Sequence, residues 1–89
     1  MENERLDEIL GKFHEELKHA ESLSEDERRS LNHIASDIRQ LLKSEGDKRE
    51  GAEQYNGQLR QMILQFEANH PDLTLSMGRI ADALAKIGV

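Results

Sequence analysis

A single proline, Pro71, separates two stripes of apolar residues and so limits what this chain can become. Before the tripeptide Asn69-His70-Pro71 stand Leu59, Met62, Ile63 and Phe66; after it stand Leu73, Met77, Ile80, Leu84 and Ile87. Both sets follow the spacing of one helix face. Proline lacks the N–H that a helix interior needs, and it drives the preceding residue out of the α region. The pattern therefore predicts two amphipathic helices folded back on each other at His70-Pro71. It defines an architecture and names no chemistry.

The chain before this hairpin repeats the theme. Leu6, Leu10, Phe13, Leu17 and Ala20 alternate by four and three, with Ile9 widening the seam and charged residues between them. That predicts a helix over 4–21. Ser24 followed three residues later by Glu27 is a capping box, in which hydroxyl and carboxylate each accept the other residue's backbone N–H. Leu31, Ile34, Ile38 and Leu41, flanked by Ala35 and Leu42, continue a second helix over 25–44, with Gly46 as its left-handed stop. The polar segment 46–51 lacks periodicity and predicts an exposed loop. A third helix over 52–69 and a fourth over 71–87 follow, the fourth closed by Gly88. Pro71 takes the first helical position, where its missing N–H costs nothing. Four helices with short connections and coiled-coil-like seams predict a single all-α domain, an antiparallel four-helix bundle of two hairpins.

Composition narrows the function classes. With 18 acidic and 12 basic residues, the net charge of −6 disfavours a nucleic-acid binder, which needs a basic face. The absence of cysteine excludes disulfides and thiolate-held metals. The longest aliphatic run, Met62-Ile63-Leu64, is far short of a membrane span, and the polar start does not look like a signal peptide. A cytoplasmic protein without a membrane segment is the expectation.

Phe66-Glu67-Ala68-Asn69-His70-Pro71-Asp72-Leu73, then Ile80-Ala81-Asp82-Ala83-Leu84 and Ile87-Gly88-Val89, resemble a family of short bacterial proteins, domain of unknown function 4404. Phe13-His14-Glu15-Glu16-Leu17 and Asp37-Ile38-Arg39-Gln40-Leu41-Leu42 are similar to its first two helices. The resemblance covers nearly the whole chain, and Phe-Glu-x-x-His-Pro-x-Leu is its most specific part. It implies a stand-alone helical protein and no particular activity.

Candidate chemistry is sparse. His14 and His19 invite comparison with the zinc-protease helix, but they stand five apart and point about 140° away from each other, so they cannot share a metal. His70, between two helix ends, has the chemistry of a switchable group; capping or stacking at the turn beside Phe66 and Pro71 is its simpler role. His33 has no assignable role. No nucleophile–base set, phosphate loop or paired carboxylates emerge, and neither an enzyme nor a cofactor is expected.

Leu64 and Leu75 are different. The seam needs neither, since both fall at the position facing away from the core. They also lie about equally far from the turn, so an antiparallel hairpin sets them level on one flank. Such a pair on a charged surface is a candidate contact for a protein partner or for self-association as a homodimer. The expected function is thus a non-catalytic interaction or homo-oligomeric accessory module. The alternative is an acidic regulator docking on a basic surface of a larger complex.

Overall fold

The computed structural model describes residues 2–87, with side chains from Glu4 onward; the expected stop at Gly88 lies outside the described residues. It contains α1 (Glu2–His19), α2 (Glu25–Lys43), α3 (Arg49–Phe66) and α4 (Pro71–Ile87), and no strand among the described residues. Each helix packs on its chain neighbours and α4 closes on α1, while the diagonal pairs stay apart. The result is an up-down-up-down bundle, 38 × 21 × 20 Å.

Several boundaries differ from the sequence expectation, each for a local reason. α1 stops at His19 rather than residue 21, because the Arg28 guanidinium of α2 reaches back to the carbonyls of Leu17 and Ala20. α2 ends one residue early at Ser44, whose hydroxyl donates to the Leu41 carbonyl at 2.7 Å. Gly46 does have a positive φ of 94°, but it lies two residues past that cap, in the loop, and is not the helix stop.

The largest correction concerns α3, which spans 49–66 rather than 52–69, so the expected loop 46–51 is half helix. Asp47 causes the early start. Its carboxylate accepts the Arg49 backbone N–H at 2.9 Å and is gripped by the Arg49 guanidinium as well. The Arg49 side chain, and then its N–H, pull the Asp47 carboxyl down to about 2. Gly51 marks close approach to α2 rather than a break, since a Cβ there would lie 2.8 Å from Leu41 Cδ1. At the other end, the N–H groups of Asn69 and His70 both bond to the Phe66 carbonyl and turn the chain early.

α4 is the helix around which the others assemble. It buries eight residues, against four in α2 and three in α3, and it touches both α1 and α3. Small side chains explain this: Ser76, Ala81 and Ala83 let two neighbours come near at once, since interaxial distance follows side-chain size. The core is a single cluster running from Leu6 through Phe13, Leu31, Ile38, Leu59 and Met77 to Leu84. Leu23 and Ala52, which no seam claimed, are buried with it. α3 sits shallowest. Its buried residues, Ala52, Leu59 and Phe66, recur only every seventh position, and its seam with α2 is the loosest in the bundle.

The capping box of α2 is complete, with Ser24 N–H to Glu27 Oε1 at 2.9 Å and Glu27 N–H to Ser24 Oγ at 3.1 Å. These bonds to Ser24, its backbone N–H foremost, hold the Glu27 carboxyl below its ordinary value, with help from His70. A depressed folded-state pKa contributes stability above the usual glutamate range and loses it as pH falls through the folded value. Ser24→Ala is expected to cost about 1 kcal/mol at neutral pH, the ordinary worth of such a cap. Denaturant melts check it: an unchanged midpoint would show that the hydroxyl does not hold the start of α2.

Candidate functional site

Two places in the bundle gather the residues singled out from the sequence. The first is the end where both hairpins turn. His70 is buried there, and its ring packs against Phe66 with centroids 5.9 Å apart and a 57° tilt. Its Nδ1 lies 3.2 Å from Ser22 Oγ in the α1–α2 turn, and its Nε2 lies 3.8 Å from Glu27 Oε1. The His70 carbonyl accepts the Thr74 N–H, and the Thr74 hydroxyl donates to the Pro71 carbonyl. Pro71 itself is exposed as the first residue of α4. The imidazole thus ties the second hairpin to the first. Holding a ring nitrogen against a hydroxyl from another segment is work a buried histidine does in many cores.

The second place is the outer flank of the α3–α4 hairpin. Leu64 is 75% exposed and Leu75 67%, the exposed large apolar residues among the described residues. Cross-helix contacts set their heights. Asn56 Nδ2 donates to the Ala81 carbonyl, and Arg60 Nη2 lies 3.7 Å from Asp82 Oδ1. Leu64 and Leu75 fall between the two registers that these contacts set for the antiparallel hairpin, and so stand at nearly the same level.

Around Leu64 the surface is poor in charge. Between Glu53 and Glu67 the only charged residue is Arg60, in a chain of which 34% is charged. Arg60 is occupied by Asp82 and by Asn56 Oδ1, at 3.1 Å. Glutamine takes the other exposed polar places, at Gln54, Gln58, Gln61 and Gln65. This stretch was readable in the sequence as a gap in the charges. Its significance depends on knowing that no helix covers it.

Beside this flank, the loose α2–α3 seam opens as a groove of about 760 Å³. Ile34, Met62 and Phe66 supply its apolar walls, and on the α2 side Asp26–Arg29 and His33–Asp37 pair at 3.7 and 3.5 Å. His33 therefore has a partner one turn along its own helix. His14 is exposed, and His19 is exposed beside Glu15. Among the described residues, no three His, Cys, Asp or Glu side chains come together as a metal site. No helix among them is long and apolar enough to cross a membrane.

The fold and this flank define an antiparallel four-helix bundle with two exposed leucines on the outer side of its α3–α4 hairpin. The chain belongs to the family described as domain of unknown function 4404, whose model matches residues 6–89. No curated protein and no solved structure matches it.

Proposed function

We propose that this protein is a non-catalytic helical module that acts by binding another protein surface, with the α3–α4 flank as its contact. The observation that carries the proposal is the exposure of Leu64 and Leu75, which the register of the α3–α4 hairpin brings to nearly one level. A single exposed leucine is ordinary, whereas two beside a charge-poor helix face have the composition of an interface centre. The acidic residues of α1 and of the first turn of α2 give the molecule solubilising charge, while the outer face of α3 beside Leu64 is where contact costs least desolvation.

The test is the double variant Leu64→Glu, Leu75→Glu. Both side chains stand in solvent, so circular dichroism and the melting temperature are expected to stay near the parent's. Partner capture from a native lysate is expected to fall at least tenfold, or the assembly mass by light scattering to drop to that of the single chain. A folded variant with undiminished binding and assembly would overturn the proposal.

A further inference from the structure

The outer face of α3 carries a second seam. Gln54, Gly57, Gln61, Leu64 and Ala68 recur at alternating steps of three and four, the spacing that packs helix on helix. Gln54 to Leu64 lie on α3 and Ala68 in the turn just past it; all five are exposed and none is charged. Gly57 is the unexpected member. It sits mid-helix, where glycine costs about 1 kcal/mol relative to alanine, and a Cβ there would meet nothing within 4 Å. Nothing inside the bundle accounts for it.

We infer that a second copy of this chain packs on this seam, α3 against α3, antiparallel about a two-fold axis at Gln61. Resting on the contact flank proposed above, it identifies the partner. Two features of the molecule select a copy over another protein.

The first is charge. Each chain carries −6, so two copies meet at least cost where charge is sparse, and the outer face of α3 from Gln54 to Ala68 is that place, with Glu50 the charge at its margin. A basic partner would find its complement on the acidic α1–α2 side instead. Glutamine suits a symmetric contact, because its amide both donates and accepts and can pair with its own image.

The second is shape. Antiparallel pairing centred on Gln61 sets Leu64 of each copy over Gly57 of the other, a large side chain into an empty place. It also sets Gln54 beside Ala68, again large against small. One register thus satisfies every position of the seam twice, as a two-fold interface requires. Leu75 widens the contact on the α4 side.

The experiment is sedimentation equilibrium on the intact chain and three single variants. The parent is expected to be dimeric with a dissociation constant of about 10 μM or tighter, and salt should leave the dimer intact or strengthen it by screening like net charges. Gly57→Gln fills the hole facing Leu64. It should weaken the dimer at least tenfold while raising monomer stability through better helix propensity. Gln61→Glu and Gln61→Lys each place like charges on the axis and should be monomeric alone. Mixed in equal amounts they should restore a dimer, a result that a mere folding defect cannot produce.

A parent that stays monomeric at about 1 mM would overturn the inference. If the Leu64→Glu, Leu75→Glu variant still lost a captured protein, the flank would stand as a contact and the second copy alone would fall. A parent dimer indifferent to Gly57 and Gln61 substitutions would overturn this register.

Discussion

Phe13→Ala is expected to cost about 3–5 kcal/mol, the largest single loss available in this bundle. Phe13 is fully buried and is the largest of the fully buried side chains. A domain of this length has about 4–13 kcal/mol of net stability, so the substitution removes about a quarter of it or more. The cost is high because α1 is held between α2 and α4, and neither can collapse into the gap without losing its other neighbour. Phe13→Leu keeps most of the volume and should cost under about 1.5 kcal/mol. Urea melts of the two variants decide the matter. Equal midpoints would show that the core around α1 is loosely packed and relaxes around either side chain.

Arg28→Ala is expected to cost about 2 kcal/mol, through a different mechanism. Arg28 stands in the first turn of α2, where the helix dipole disfavours a cation. Its guanidinium spends that charge on α1, donating to the Leu17 carbonyl and, at 2.9 Å, to that of Ala20. The Leu17 carbonyl is among those that a helix end leaves without a partner within the helix, and the Ala20 carbonyl otherwise has only the Leu23 N–H at 3.4 Å. Hydrogen bonds from a charged donor are worth about 1.5–3 kcal/mol, and the half-buried setting lets water replace part of that. Arg28→Lys should recover less than half, because one ammonium cannot span two carbonyls as a planar fork does. Since Ser24 and Arg28 brace the same turn, the Ser24→Ala, Arg28→Ala double variant should depart from additivity. Melting midpoints for the four chains test this, and a parent-like Arg28→Ala would show that solvent satisfies the end of α1.

The cap at Ser24 and the turn at Pro71 were legible because each is written within four or five consecutive residues. The seams of α1, α2 and α4 were legible for the same reason, since a helix repeats over a short window whatever it later packs against. Leu64 and Leu75 could be placed outside the core from that repeat alone, and both are exposed. The start of α3 was misjudged: glycines at 46 and 51 suggested a loop, while the Asp47–Arg49 pairing that begins the helix depends on a side-chain geometry that composition does not reveal.

What the tertiary structure decided is which distant residues meet. His70 finds Ser22 across 48 residues of chain, Ser76 donates to Glu16 across 60, and Asn56 reaches the Ala81 carbonyl across 25. None of these follows from periodicity, because each depends on which helices are neighbours and at what height. The burial of Leu23 in a turn and of Ala52 near the start of α3 has the same origin. So does the standing of the Gln54–Ala68 seam, whose spacing is present in the sequence but equally fits an inner or an outer face. Local periodicity determines that a helix has an apolar stripe; only the packing of four helices determines which stripe is left without a partner.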